Sequence, residues 1–436
     1  MKTPAQKINV FWFRRDLRLE DNNGLYQALQ ADLPVLPVFI FDRDILDHLT
    51  NKHEQRVEFI HRSLTRINTR LQKYNSRLLI RYGKPLEIWN ELIKEFDIHT
   101  VFANHDYEPY ALQRDEKIKS LLQKKEIRFL TFKDQVIFEK NEIVKQDGLP
   151  YTVYTPYRHR WQSLLVTGQI MPYPSHTLTD RFLKNESFLF PGLEKLGFVE
   201  SQADFPSEKV DEDIIRNYDK TRDYPDREGT TRLSIHLRFG TVSIRELVRL
   251  ALELNETWLG ELIWREFFMM ILYHFPRVVD QPFKSKYTQI PWRNDPEEFG
   301  RWCTGQTGYP LVDAGMRELN ATGFMHNRVR MVTASFLTRH LLIDWRWGER
   351  YFAEKLLDYE LSSNNGNWQW AAGCGCDAAP YFRIFNPKIQ QQKFDPENIY
   401  IKKWIPEIDS GSYPKPIVDH SFARQRALTA YNHINF

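Results

Sequence analysis

The chain has 436 residues, which is enough for two or three domains that bury a core without disulfides. Hydrophobic residues make up 42% and charged residues 27%, a composition typical of a folded soluble protein and not of a disordered one. Three cysteines are too few for a disulfide scaffold and favour a reducing compartment. The net charge of +3 permits a nucleic-acid partner without requiring one.

No apolar run approaches the ~20 residues that cross a bilayer, and the first ten residues lack the apolar core of a signal peptide. We therefore expect a cytoplasmic protein without membrane contacts. The first 130 residues alternate short apolar runs with segments of helical spacing, at 55–74 and 85–96. Such alternation predicts a parallel, Rossmann-like α/β sheet. Its strands are expected at residues 8–13, 36–41, 77–82, 100–103 and 128–132.

The sequence pattern changes twice after this α/β region. Residues 135–205 are punctuated by Pro, Gly and Tyr without a clear period, which favours an interdomain linker. Apolar residues three and four apart then predict an all-α domain. We therefore divide the chain into an α/β domain at 1–134, the linker at 135–205 and a helical domain at 206–436. The predicted helices of the last domain lie at 244–254, 258–274, 311–320, 329–342 and 349–357.

Some chemistry is already excluded or left open by the residues alone. No G-x-G-x-x-G follows the first strand, and no P-loop, H-E-x-x-H or Ser-His-Asp order occurs, so dehydrogenases, kinases and hydrolases lack support. Cys303, Cys374 and Cys376 are fewer than the four ligands of a usual zinc or iron–sulfur site, so we expect no metal. Residues 229–234 (GTTRLS) precede a helical stretch, where they suit either a phosphate or a simple N-cap.

Two pairs of side chains share a helix face. Glu261 and Trp264 are three residues apart, and Asn327 and Met331 are four apart. An acid, an amide and a methionine that face one cavity suit a flat polar group with an apolar side. Each pair also has a simpler interpretation. Glu261 and Trp264 would then be a solvent-exposed acid beside a packed tryptophan, and Asn327 and Met331 would lie on a basic surface helix.

Six motifs, in order, make the sequence resemble the photolyase/cryptochrome flavoproteins over nearly its whole length. Within that family it is most similar to the class I cyclobutane pyrimidine dimer photolyases. The resemblance implies an α/β antenna domain followed by a helical FAD- and DNA-binding domain. The motifs are residues 11–18 (FWFRRDLR), 230–234 (TTRLS), 261–267 (ELIWREF), 308–310 with Asp313, 325–331 (MHNRVRM) and 368–387.

The resemblance implies a carbon–carbon lyase that repairs DNA in light. Excited, fully reduced FAD gives an electron to a pyrimidine dimer, the cyclobutane ring splits and the electron returns. The expected partner is UV-damaged DNA, and we expect a monomer that associates with the nucleoid if the source is prokaryotic. Glu108 matches a pterin-contacting residue of folate-binding members, so methenyltetrahydrofolate is one antenna to consider. A deazaflavin, FMN or an empty antenna site are equally open.

The resemblance also assigns residues around the flavin. The family acid Asp358 is expected to pair with Arg330, and Glu360 stands where the family often has Asp. Asn364 matches the residue opposite flavin N5, where Asn favours a reduced flavin and repair. Expected contacts to the phosphates and ribityl chain are Tyr218, Thr230, Thr231, Arg232, Leu233 and Ser234. Electrons are expected to hop along Trp368, Trp345 and Trp292, whereas Trp302 and Trp347 are interpreted as structural.

At the lesion, Glu261 is expected to bond a pyrimidine carbonyl and to stabilise the developing radical anion. Asn327 would bond the other edge of the dimer, and Met331 matches the methionine of dimer photolyases. Trp264 and Trp370 would line the pocket for the flipped-out dimer. Contacts to phosphates or bases are expected from Arg222, Arg328, Arg383 and Gln390.

Two alternatives within the family stay open. A cryptochrome would sense blue light without repair, and its expected mark is a C-terminal extension, whereas this sequence ends 30 residues after Pro406. A (6-4) photolyase would place a histidine pair around its pocket, and His326 is offset from the Met331 face. The set of Glu261, Asn327 and Met331 favours dimer repair.

Overall fold

The computed structural model describes residues 6–201, 203–378 and 380–435, except for the side chains of residues 433 and 435. Residues 1–5, and residue 379 inside the predicted motif 368–387, lie outside this description. The chain divides into two compact units, each built from three stretches. The first unit comprises 1–139, 165–208 and 233–249, and the second comprises 140–164, 209–232 and 250–436. The stretch predicted as a linker contributes to both units.

Five strands form the parallel sheet of the first unit within the described residues, and the predicted α/β class is confirmed. The strand order is β3-β2-β1-β4-β5, with every neighbouring pair parallel. Every residue of the central strand β1 and of its neighbour β2 is buried, which explains their continuous apolar sequence. The bounds are β1 Ile8–Phe13, β2 Val35–Asp42, β3 Leu79–Gly83, β4 Ile98–Asn104 and β5 Arg128–Phe132.

Helices in the first unit connect these strands or follow them. The helix Pro109–Gln123 starts with proline, whose missing N–H costs nothing at a first turn. The α-helices are Asn23–Gln30, Arg43–Leu46, Gln55–Gln72, Pro85–Glu95, Pro109–Gln123, Ser234–Phe239 and the first part of Ile244–Leu254, and the 3-10 helices are Thr167–Ile170, Ser175–Arg181 and Leu193–Leu196.

A buried polar network fixes the turn after β1. The Asn104 amide donates to Asp16 at 2.6 Å and to Asn22 at 2.8 Å, and its oxygen accepts from the Gly24 N–H at 2.8 Å. Arg18 pairs with Asp134 at 2.7 Å. Because each buried polar group has a partner, the charged sequence of this turn is compatible with burial.

The second unit is mostly helical, as the spacing predicts. The predicted helix at 329–342 is instead an α-helix that ends at Ser335 and continues as a π-helix over Phe336–His340. No helix among the described residues is both long and apolar enough to cross a membrane. The α-helices are Tyr154–Leu164, Glu212–Arg216, Tyr218–Thr221, Glu256–His274, Pro296–Cys303, Pro310–Thr322, Asn327–Ser335, Trp345–Lys355, Leu361–Ala371, Pro387–Phe394, Ile399–Trp404 and His420–Asn435, with 3-10 turns Pro276–Val279 and Ser285–Gln289.

Asp313 anchors the start of the helix Pro310–Thr322. The carboxylate is fully buried and accepts from the Thr307 N–H at 2.8 Å, the Thr307 hydroxyl at 2.6 Å and the Gly308 N–H at 2.9 Å. The Tyr413 hydroxyl adds a fourth bond at 2.6 Å. The acid therefore ties together segments that are 100 residues apart in sequence.

We predict that Asp313→Ala lowers the free energy of unfolding by roughly 3 kcal/mol, because it leaves several buried donors without an acceptor. Urea denaturation of both proteins measures the change. Asp409→Ala is the control, since the side chain of Asp409 is 82% exposed. Equal losses in the two variants would contradict the anchoring role.

A second prediction concerns pH. His340 is buried, its Nε2 lies 2.8 Å from Nδ1 of His420, and burial lowers the pKa of His340 to about 3. At this residue the unfolded chain takes up a proton below pH ~6.5 that the folded chain does not, so the contribution of His340 lowers stability by ~1.4 kcal/mol for each unit that the pH falls. We expect His340→Gln to flatten this dependence between pH 7 and pH 5.

Denaturation midpoints at several pH values check this expectation. His159→Gln is the matched control because His159 is exposed on the helix Tyr154–Leu164 of the same unit. The idea fails if His340→Gln and the parent protein lose stability in parallel as the pH falls.

Candidate functional site

One face of the helix Leu361–Ala371 carries three of the predicted residues. Its N-cap Glu360 and the residues Asn364 and Trp368 are spaced four apart, and all three are buried. Glu360 forms an ion pair with Arg265 at 3.2 Å. The Asn364 amide donates to the main-chain oxygen of Glu349 at 3.0 Å and to its carboxylate at 2.8 Å. These bonds leave the Asn364 Oδ1 as the acceptor for another group.

Glu349, the partner of Asn364, is half-buried. Burial raises its pKa, and the hydrogen bond from Asn364 lowers it again. The acid therefore fixes the orientation of the Asn364 amide, which the family resemblance implies lies opposite the flavin.

The structure brings Arg330 and Asp358 together, as the resemblance implies. The guanidinium donates to both carboxylate oxygens, at 3.0 and 3.2 Å, and its Nε donates to the Met325 oxygen at 2.7 Å. The ring of Phe324 lies 5.7 Å from the Arg330 guanidinium and 4.5 Å from that of Arg232. Two predicted cofactor residues thus meet at one aromatic ring.

The segment predicted to bind phosphate forms a tight turn. Arg232 has φ +52°, the left-handed region, and Thr221 donates to the Gly229 oxygen at 3.3 Å. The helix Ser234–Phe239 has Leu233 as its N-cap, without a side-chain capping bond, so the simple N-cap alternative is wrong. Thr230 and Thr231 are half-buried. The division between the two units falls after Arg232.

A second cluster surrounds Glu261 on the helix Glu256–His274. The Arg222 guanidinium donates to Glu261 at 2.5 Å and lies 5.6 Å from the Tyr218 ring. Burial raises the pKa of Glu261, and Arg222 opposes the shift. Arg328 pairs with Asp223 at 2.7 Å. The structure thus places Tyr218 beside the predicted lesion residues Arg222 and Glu261.

Asn327 and Met331 share a face, as their spacing predicts. The Asn327 amide nitrogen lies 3.9 Å from the Met331 sulfur, and Asn327 is exposed. His326 caps this helix through Nδ1, which accepts from the Arg328 N–H at 3.2 Å. Burial lowers the pKa of His326 to about 4, so the ring is neutral near pH 7.

The remaining lesion candidates have different environments. Trp264 stacks on Tyr154, with ring centroids 3.6 Å apart and planes at 7°. Trp370 packs, partly buried, against the core of the second unit. Arg383 is exposed, whereas the Gln390 Oε1 is buried and has no hydrogen-bond partner among the described residues.

The three tryptophans of the predicted electron path lie in or at one hydrophobic core. Trp345 and Trp368 are buried in it, and Trp292 packs at its rim with its ring 6.4 Å from that of Tyr431. This placement is compatible with electron hopping toward the surface.

The antenna candidate Glu108 is already paired. Its carboxylate lies 3.0 Å from Arg15 and 2.8 Å from Arg238 within the first unit. A pterin that used Glu108 would have to replace or share these partners, which sequence reasoning did not anticipate.

The three cysteines were considered as metal ligands in the sequence analysis. All three thiols are free, and burial raises the pKa of Cys303 and Cys374 to about 12 and that of Cys376 to about 11. Within the described residues no cluster of three or more potential metal ligands occurs.

Several side chains at the site were missed by the sequence analysis. Glu349 orients Asn364, Asp223 neutralises Arg328 and Tyr154 covers Trp264. No local pattern distinguishes them, since each contacts a residue far away in sequence. Arg265, the partner of Glu360, does lie within the motif at 261–267.

Comparisons with known proteins identify the family of the chain. Residues 9–175 match the family model for DNA photolyase, and residues 258–412 match the model for the FAD binding domain of DNA photolyase. The deoxyribodipyrimidine photo-lyase of Halobacterium salinarum is 37% identical, over 97% of this chain and 98% of that protein.

Solved structures of a photolyase and of a cryptochrome are similar to this chain. A bacterial class III photolyase from Agrobacterium tumefaciens has a TM-score of 0.86 and 31% identity, covering 100% of this chain and 99% of that one. A cryptochrome from Synechocystis sp. PCC6803 has a TM-score of 0.85 and 25% identity, covering 99% and 100%. The chain belongs to the DNA photolyase family and carries that family's FAD-binding domain.

Proposed function

We propose that this protein splits cyclobutane pyrimidine dimers in UV-damaged DNA in a light-dependent reaction. The observation that carries the proposal is the Glu261–Arg222 pair, in a chain similar over its full length to a deoxyribodipyrimidine photo-lyase. An acid whose pKa is raised by burial, beside a cation, suits an uncharged base that gains negative charge during reaction.

The residues present fit FAD. The Asn364 Oδ1 is an available acceptor, as the N–H of a reduced flavin ring requires. The Ser362 hydroxyl and the His326 Nε2 are buried and have no hydrogen-bond partner among the described residues, so a polar ligand would complete their bonding. Arg330, Asp358 and Arg232 would hold its polar groups. When bound and fully reduced, FAD supplies the electron for ring splitting after it absorbs light.

Glu261 would act on the dimer electrostatically. Glu261 would form a hydrogen bond with a pyrimidine carbonyl, where negative charge develops when the dimer gains an electron. Burial raises the pKa of Glu261, which favours the protonated form that such a bond needs, and Arg222 opposes this shift. Arg222 would place a positive charge next to the same oxygen. Both groups are held in place before the reaction, so little reorganisation is needed when the charge appears.

Asn327 and Met331 would contact the dimer from their shared helix face, with the amide at a base edge and the sulfur against the apolar ring. A dimer is poorly stacked in a duplex, so it flips out more readily than a normal base. Arg383 and the Asp223-paired Arg328 would contact phosphates, and this makes binding weaker at high salt. We propose that the protein acts as a monomer, wherever the cell keeps its DNA.

We predict that Glu261→Ala lowers the repair yield by roughly tenfold or more while FAD content stays near normal, because one charge-assisted hydrogen bond is worth roughly 1.5–3 kcal/mol. Repair is followed as the recovery of thymine absorbance in a dimer-containing oligonucleotide under blue light, with a dark control. Glu256→Ala is the matched control, since Glu256 lies on the same helix and pairs with Arg158 instead.

Equal repair per bound flavin in Glu261→Ala and the parent protein would refute the assigned role. Absence of light-dependent repair in the parent protein, with reduced FAD shown to be bound, would indicate a different lesion or a light sensor.

A further prediction concerns FAD retention. Arg330→Gln should raise the Kd for FAD by roughly tenfold or more, because it removes a charged partner and leaves the Asp358 carboxylate buried and unpaired. Fluorescence titration of the apoprotein measures the Kd. Arg317→Gln is the control, since Arg317 pairs with Glu407 elsewhere in the unit. An unchanged Kd would place the cofactor away from Arg330.

A further inference from the structure

We propose that Trp302 and Trp347 form a second electron-transfer branch, which leads from Trp368 to the protein surface and supplements the path through Trp345 and Trp292. The inference rests on the proposed function, in which Trp368 lies next to the flavin. It assigns a role to two tryptophans that the sequence motifs leave as structural.

Aromatic rings connect these residues continuously. The rings of Trp368 and Trp302 have centroids 6.1 Å apart and planes at 71°. Trp302 stacks on Phe299 at 5.8 Å and 19°, and Phe299 meets Trp347 edge-on at 5.1 Å. Centroid distances of 4.5–7 Å correspond to rings in direct contact. Because electron tunnelling falls off steeply with the gap between rings, such contacts favour hopping from one tryptophan to the next. Phe299 is not itself oxidised; its ring fills the space that the electron crosses between Trp302 and Trp347.

Packing holds the branch rigidly. Trp302 is fully buried and its Nε1 donates to the Thr333 oxygen at 3.2 Å. The Trp368 ring lies directly against Gly348, the neighbour of Trp347, where a Cβ atom would collide with it. Trp347 itself is only half-buried. The branch therefore begins in the core and ends where an indole can exchange electrons and protons with solvent.

Tyr351 is the competing end point, because its ring lies 5.8 Å from that of Trp302. An oxidised tyrosine must pass its proton to a base. The Tyr351 hydroxyl instead donates to the amide oxygen of Asn320 at 2.6 Å, and burial raises the pKa of Tyr351 to about 12. An indole loses an electron without this requirement, so Trp347 is the better terminus.

The electrons and protons of this pathway balance when a thiol in solution is the reductant. Trp368 gives one electron to the light-excited, oxidised flavin, and Trp302 refills Trp368. Trp347 then refills Trp302 across Phe299, and the Trp347 radical releases its indole proton to water. A thiol in solution returns one electron and one proton to Trp347. Two such turnovers convert two thiols into one disulfide and deliver two electrons to the flavin.

The test uses the FAD-loaded, oxidised protein illuminated with blue light in excess dithiothreitol. Loss of the oxidised-flavin absorbance and the transient tryptophan-radical signal are followed in Trp292→Phe, Trp347→Phe and the double variant. We expect each single variant to keep part of the photoreduction and the double variant to lose it. Trp292→Phe/Trp404→Phe is the matched control, since Trp404 packs at the rim of the same core.

Complete loss of photoreduction in Trp292→Phe alone would overturn the branch. So would a double variant Trp292→Phe/Trp347→Phe that photoreduces as well as the Trp404 control. The variants avoid Trp302, whose removal would open a cavity in the core.

Repair by protein that has been reduced chemically beforehand separates this inference from the proposed function. Neither Trp292 nor Trp347 contacts the predicted lesion residues, so repair should be unchanged in all variants. If photoreduction is lost only in the double variant, the branch is supported whether or not the parent protein repairs dimers. Failure of repair alone would contradict the proposed function and leave the branch standing.

Discussion

Charge pairing between segments distant in sequence is the constraint on which the candidate site depends. Arg330 meets Asp358, Arg265 meets Glu360 and Arg222 meets Glu261, each at 2.5–3.2 Å. A charge that leaves water without a partner costs several kcal/mol, so these arginines and acids can be buried or half-buried only if the segments carrying them are correctly placed. The same pairs that hold the helices together therefore define the geometry of the site.

This arrangement also prepares the site electrostatically. Burial raises the pKa of Glu261 and Glu349, while an arginine or an amide opposes each shift. Asn364 is oriented through Glu349 and not through its own helix. A site built in this way presents donors and acceptors in fixed positions before any ligand arrives, which is how polar groups contribute most to stabilising a developing charge.

The aromatic residues of the second unit serve the core and, by our inference, electron transfer. Trp302 and Trp368 lie in the same hydrophobic core as Trp345, so packing alone accounts for their burial. The ring contacts from Trp368 through Trp302 and Phe299 to Trp347 connect the interior of this core to the surface. Stability and electron transfer can use the same rings because both require close contact.

Local patterns in the sequence determined much of the fold and part of the site. Apolar runs located the five strands: the predicted bounds of β1 and β5 equal the observed ones, and those of β2 and β4 lie inside them. The signal is most direct for β1 and β2, because every residue of these two strands is buried. Helix spacing placed Asn327 beside Met331, since residues four apart share a face. The motif matches identified the family.

Only the tertiary structure decided which distant residues meet. Glu349, Asp223 and Tyr154 act through partners on other elements, and spacing along one helix carries no information about such contacts. The pairing of Glu108 with Arg15 and Arg238, and the ring path through Trp302, are of the same kind. Periodicity fixes which face of an element is buried, whereas the packing of whole units fixes what that face touches.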